Sequence, residues 1–163
     1  MASYHFHLTQ VKRSRGQSVI AQAAYRAGEK LYSTYYGESS DFTRKRGVVM
    51  AEICLPDHAP REYADRETLW NALEWAESGR KAQLAHSFDI TLMNEFSMEE
   101  NIEMARAFVQ EELVSRDMIA DFAIHDPVRP KGAEPNPHIH ILVPIRPLKE
   151  DGPGGIKRKR RYR

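Results

Sequence analysis

The chain has one cysteine, Cys54, set in an apolar run, so no disulfide framework can form within it. A reducing, cytoplasmic setting is expected, with Cys54 acting as a small buried hydrophobe. No apolar stretch approaches the roughly 20 residues that a membrane-spanning helix needs. The opening MASYHFHLTQVKR also lacks the apolar core of a secretory signal. There is no internal repeat. Net charge is nearly absent as well, at +1 over 163 residues, but that figure hides an asymmetry: the last eight residues, IKRKRRYR, carry six basic groups and no acidic one, leaving residues 1–155 at −5. An acidic body with local basic clusters points to contacts with an anion at particular places, not to a uniformly cationic surface. We expect one domain over residues 1–150. Residues 151–163 are expected to be a basic tail that starts a C-terminal extension.

What the chain does have is histidine in a telling arrangement. In NPHIHIL, His138 and His140 alternate with Ile139 and Ile141. At roughly 3.3 Å per residue in a strand, both imidazoles fall on one face, one pleat apart. Phe122 and Ile124 alternate in the same way with Ala123 and His125. If the two runs pair antiparallel across the Pro- and Gly-containing connection 127–137, His125 arrives beside the other two. Three neutral imidazoles bind a divalent cation without cancelling its charge, and they leave positions open for a substrate. Such donors suit zinc, nickel, copper or iron, and manganese or magnesium where the cell supplies them.

Taken in order, Ser3 to Val11 reads as a strand with Tyr4, Phe6 and Leu8 on one face and a second H-x-H, His5 and His7, on the other, a competitor for the metal that ranks lower because no partner strand brings it a third ligand. Arg13 and Arg15 follow in a short basic loop. Ser18 caps a helix expected to run to about Leu31, made small-faced by Ala21, Ala23, Ala24, Ala27 and Gly28, with Tyr25 standing proud. Tyr25 reads either as a packing residue or as a nucleophile whose phenol needs a metal or base to lose its proton. Tyr32, Tyr35 and Tyr36, then Arg44, Lys45 and Arg46, occupy an irregular segment or short hairpin. Rings interleaved with cations are compatible with single-stranded nucleic acid.

Val48–Leu55 reads as a strand, and a helix is expected from Asp65 or Arg66 to Ser78. In the strand Ala85–Met93, Phe88, Ile90 and Leu92 face the core. Asp89 faces the other way, where it could orient a ligand histidine or assist proton transfer. Ser97–Leu113 is a helix opened by the capping sequence SMEE. The order β-α-β-α-β-α-β-β predicts an α+β fold: an antiparallel sheet of about five strands, with helices mainly on one face and the histidines on the other.

With these residues placed, the chain resembles the nicking domain of MobA/MobL-type plasmid relaxases, members of the histidine-hydrophobic-histidine endonucleases. The resemblance runs from YHFHLT through GQSVIAQAAYRAGEKL and DFTRKRGV to FAIH and NPHIHIL. It implies that Tyr25 attacks a phosphodiester of single-stranded origin-of-transfer DNA, leaving a 5′-phosphotyrosyl link and a free 3′-hydroxyl. It further implies that His125, His138 and His140 hold a divalent metal, manganese or magnesium in function, with Asp89 at a supporting position commonly held by Glu. Accessory proteins at the origin and a conjugative coupling apparatus are the implied partners. Arg13, Arg15, Arg44, Lys45, Arg46, Lys157 and Arg158 are the candidate DNA contacts. HIHILVP also resembles the histidine-triad nucleotide hydrolases, although Leu142 stands where their third histidine would be. A module that binds single strands without cutting them is the other alternative. Replication initiators of the same superfamily usually carry their tyrosine after the histidine motif, where this chain has only Tyr162.

Overall fold

A computed structural model of the protein describes residues 4–148, so Lys157, Arg158 and the rest of the basic tail lie outside the described residues. Seven strands and three α-helices follow in the order β1 (Phe6–Lys12), α1 (Val19–Ala27), β2 (Lys30–Ser33), β3 (Glu38–Asp41), β4 (Val48–Cys54), α2 (Arg66–Ala76), β5 (Gln83–Thr91), α3 (Met98–Glu112), β6 (Ala120–His125) and β7 (His138–Pro144). Five strands make one sheet in the order β1-β5-β7-β6-β4, and every neighbouring pair is antiparallel. This is the α+β fold expected from the sequence. Among the described residues, no helix is long and apolar enough to cross a membrane.

The helix ends follow from local chemistry. The Ser18 side chain accepts from the Ala21 N–H, Asp65 does the same for Thr68, and Ser97 with Glu100 forms a reciprocal capping box. The first helix is shorter than expected. Gly28 takes a left-handed conformation at φ 66° and stops it after Ala27, and the segment read as its last turn becomes β2. β2 pairs with β3 in a separate hairpin, which settles the choice between hairpin and irregular segment.

Helix placement also departs from the expectation. The helices cover both faces of the sheet, not mainly one. Ile139, Ile141 and Val143 of β7, with Phe122 and Ile124 of β6, pack under Ala105 and Val109 of α3. Leu142 joins Val19, Ile20, Ala23 and Ala24 of α1 and Leu69, Trp70 and Leu73 of α2. Side chains two apart on a strand share a face, so Leu142 lies on the same face as His138 and His140. The histidine face is therefore roofed by α1 and α2 over part of its length and left open beyond the end of α1. Each fully buried Leu, Ile or Phe in these clusters contributes about 1.5–3 kcal/mol.

One polar cluster ties the roof to the sheet. Asp121 of β6 accepts from Arg66 Nε at 2.9 Å and from the Trp70 indole N–H at 2.8 Å, and Arg66 also reaches Glu29 at 2.6 Å. These groups fix α2, and the chain leaving α1, over the histidine face.

Candidate active site

Register brings the histidines together. His125 stands directly opposite His138 across the β6/β7 pair, and His140 stands opposite Asp89 across β5/β7. The His125 and His140 ring centroids are 4.4 Å apart with planes tilted by 46°, and those of His138 and His140 are 6.2 Å apart and stacked. Tyr25 projects over this patch from the last turn of α1, with 49% of its surface exposed. Tyr25, Lys45, Arg46, Asp89, Pro127 and the three histidines line one cleft of about 300 Å³. A larger, more open hollow of about 760 Å³ lies at the other end of β5 and β7, beside Gly79, Arg80 and Arg146, and none of these groups line it.

Each imidazole has one nitrogen turned to an oxygen. His125 Nε2 lies 2.6 Å from the Arg26 carbonyl, His138 Nδ1 lies 2.7 Å from the Asn136 carbonyl, and His140 Nδ1 faces Asp89 Oδ2 at 3.7 Å. Metal-bound histidines usually have this kind of support at their second nitrogen, which leaves the other nitrogen for the ion. Burial pushes the His140 pKa down to about 3, helped by the neighbouring His125 and Arg26, and burial also lowers that of His125. Both rings are thus neutral at pH 7, the form that binds a cation. Asp89 Oδ1 is buried with no hydrogen-bond partner among the described residues. The rings pack against one another and are not aimed at one point: among the described residues, no three His, Cys, Asp or Glu side chains are gathered closely enough to hold an ion. The donor types, neutral imidazoles beside a carboxylate, are those that suit a divalent metal, although their side chains as placed do not converge on one point.

The tyrosine is held by its surroundings. Its ring packs edge-on against Phe42 at 5.3 Å, and Lys45 Nζ sits 3.4 Å above the ring centroid while donating to the Tyr25 carbonyl at 2.9 Å. Burial, with the nearby Arg26 charge, lowers the Lys45 pKa to about 8. The loop bearing Lys45 and Arg46 is pinned by Gly47. Its φ is 83°, its carbonyl accepts from Asp126 N–H at 2.8 Å, and a Cβ there would lie 2.8 Å from the Asp126 carbonyl oxygen.

Some expected residues are elsewhere. Arg13 donates to the Glu74, Glu77 and Gly79 carbonyls at 2.7–3.1 Å, a cap on the C-terminal end of α2, and is stacked over Tyr35. Its two terminal nitrogens are committed to the scaffold, away from the cleft. Arg15 is exposed beside a different hollow, next to Thr9, Lys12 and His86. Arg44 is exposed in the loop that carries Lys45.

Arg26 was missed by the reading of the sequence. Its carbonyl orients His125, while its guanidinium is buried, bonded to Gln22 and to Ser87 Oγ at 2.6 Å. Its position next to Tyr25 in AAYRAG was the available signal.

Comparison with known proteins finds relatives named for conjugal transfer and mobilization. The profile of the MobA/MobL family matches residues 17–163. The chain is 37% identical to the conjugal transfer protein TraA of Agrobacterium fabrum over 96% of its own length and 15% of that protein's. It is 34% identical to a probable mobilization protein MobA of Bifidobacterium longum, over 99% of this chain and 28% of that one. It thus spans well under a third of the length of these curated relatives. Its fold matches a solved structure titled "Molecular Basis of Vancomycin Resistance Transfer in Staphylococcus aureus" with a TM-score of 0.85 and 34% identity, covering 98% of this chain and 78% of that one.

Proposed function

The chain belongs to the MobA/MobL family, and from that premise we propose that it is the nicking domain of a conjugative relaxase. It cuts one strand of single-stranded origin-of-transfer DNA at a specific site, through a covalent 5′-phosphotyrosyl intermediate, and can rejoin the ends. The observation that carries this reading is the sharing of one cleft by the Tyr25 phenol, three imidazoles and Asp89.

His125, His138 and His140 would hold the divalent metal through the nitrogens turned away from these oxygens, with Asp89 and the Arg26 and Asn136 carbonyls orienting the rings. When bound, the metal supplies positive charge against the developing charge on the scissile phosphate. Manganese or magnesium is the ion proposed in function, and zinc or nickel would also be accepted by such donors.

Tyr25 gives up its phenolic proton and its oxygen bonds to phosphorus. The P–O3′ bond breaks, the leaving oxygen takes up a proton to become the free 3′-hydroxyl, and the 5′-phosphate stays on Tyr25. The Lys45 ammonium over the ring stabilises the phenolate. Because tyrosine, not water, accepts the phosphate, attack by a 3′-hydroxyl reverses the reaction and reseals the strand. Arg44, Lys45 and Arg46 follow the DNA backbone at the rim of the cleft. The proposed setting is the cytoplasm, with accessory proteins at the origin and a coupling apparatus as partners. The histidine-triad reading is disfavoured because Leu142, at the position of that family's third histidine, is fully buried under α1 and α2.

The test is a labelled single-stranded origin oligonucleotide incubated with protein and Mn²⁺ or Mg²⁺, then resolved on a denaturing gel. A downstream fragment linked to the protein through its 5′ end, disappearing with chelator and with Tyr25→Phe, is expected. Tight binding without any linked product would instead establish a non-cutting module.

A further inference from the structure

The sheet carries its histidine arrangement twice. β5 lies between β1 and β7, and each of these neighbours brings an H-x-H to the same face. His140 is opposite Asp89 on one side and His7 is opposite Asp89 on the other. Thr91 is opposite His138, and its N–H donates to the His5 carbonyl at 2.9 Å. The two pairs also match in detail. The His5 and His7 rings stack at 5.9 Å and 21°, and the His138 and His140 rings at 6.2 Å and 22°. The Asp89 side chain between them has one oxygen facing His140, while the other, Oδ1, is buried and accepts no hydrogen bond from the described residues.

We propose that His5 and His7 form a second seat for a divalent transition-metal cation, a two-imidazole chelate with the Asp89 charge on the neighbouring strand and no third protein ligand gathered there among the described residues, distinct from the one proposed at His125, His138 and His140. Two imidazoles one pleat apart present a chelating pair, and imidazole nitrogen favours zinc, nickel or copper over magnesium. The carboxylate across the strand pair makes the spot attractive to a cation and unattractive to a bare phosphate. His5 and His7 are exposed, so the remaining coordination positions open to water or to a DNA phosphate. β1 and β7 are two strand spacings apart, so the two seats are separated by about 10 Å. An ion on β1 would therefore meet a phosphate flanking the scissile one, not the scissile phosphate itself.

The experiment is calorimetric titration of tag-free, chelator-stripped full-length protein with Zn²⁺ and, separately, Ni²⁺. Wild type is compared with the H5Q/H7Q and H138Q/H140Q double variants, each checked for folding by circular dichroism. Two ions bound by wild type and one by each double variant is the expected result. Asp89→Asn, which removes the carboxylate charge lying between the two seats, should weaken both by roughly 10–100-fold. A single ion in wild type, lost in H138Q/H140Q and kept in H5Q/H7Q, overturns the second seat and leaves the proposed nicking centre intact. Stoichiometry unchanged by H5Q/H7Q overturns it as well. An ion lost only in H5Q/H7Q supports the second seat while contradicting metal binding at the nicking centre.

Discussion

Replacing Lys45 by Met should slow covalent attachment to DNA while leaving the fold intact. Lys45 Nζ lies 3.4 Å from the Tyr25 ring centroid, which puts it roughly 4–5 Å from the phenolic oxygen, where opposite unit charges attract by about 1 kcal/mol in water and about 4 kcal/mol at an effective dielectric of 20. Lys45 is partly solvated, so the lower part of that range applies: about 1–2 kcal/mol, or a roughly 5–30-fold slower step. The assay is single-turnover adduct formation at saturating oligonucleotide, which separates the chemical step from binding. Lys45→Arg should stay within a few-fold of wild type. pH gives a second handle. With its pKa lowered to about 8, Lys45 is a cation below that pH and loses its charge above it. Its contribution therefore fades as pH rises through 8 in wild type and persists in the Arg variant. A change of less than twofold for Lys45→Met, or an effect confined to DNA affinity, would refute the electrostatic role.

Three further outcomes follow from the same geometry. Glu74 is fully buried beneath α1, accepts from Val19 N–H at 3.2 Å and has its pKa raised to about 7 by burial; since the folded state then holds a proton that the unfolded chain gives up near 4.5, stability is lost as pH rises between about 4.5 and 7, and Glu74→Gln should gain about 1–3 kcal/mol at pH 8 in urea melts, with no gain at pH 4. Asp121→Ala strands the Arg66 guanidinium and the Trp70 N–H that it now satisfies, and should cost about 3–5 kcal/mol by the same measurement. Removing Arg44 and Arg46 together should flatten the plot of log affinity for the single-stranded oligonucleotide against log salt by about 0.7 for each phosphate they neutralise, and an unchanged slope would take both residues off the DNA path.

The legible part of the site was the part written in strand alternation. Facing is a local property with period two, so His125, His138, His140 and Asp89 could be assigned to one face before their strands were known to be neighbours. The antiparallel pairing then set their lateral order. Which face the helices cover depends on contacts between distant segments, and there the expectation failed: α1 and α2 roof the histidine face. A trace of this was present in β7, where the residue after the two histidines on their own face is Leu142, an apolar side chain that needs a cover. The early end of α1 was also visible in principle, since Gly28 is a favoured stop, but its alanine-rich neighbours favour helix strongly and masked it. Arg13 was misread because a basic residue in a short basic loop gives no hint that the carbonyls of Glu74, Glu77 and Gly79 await it. Lys45 was assigned to DNA contact from its basic neighbours, and its further position over Tyr25 was not legible because it depends on Gly47 holding the loop against Asp126.

The most direct test is to react the protein with a labelled single-stranded origin oligonucleotide, digest protein and DNA, and locate the nucleotide remnant by mass spectrometry. A phosphodiester-linked remnant is expected on the tryptic peptide spanning residues 16–26, at Tyr25, with the 3′ end of the released fragment a free hydroxyl. A remnant on any other tyrosine, or cleavage that leaves no residue modified, would contradict it.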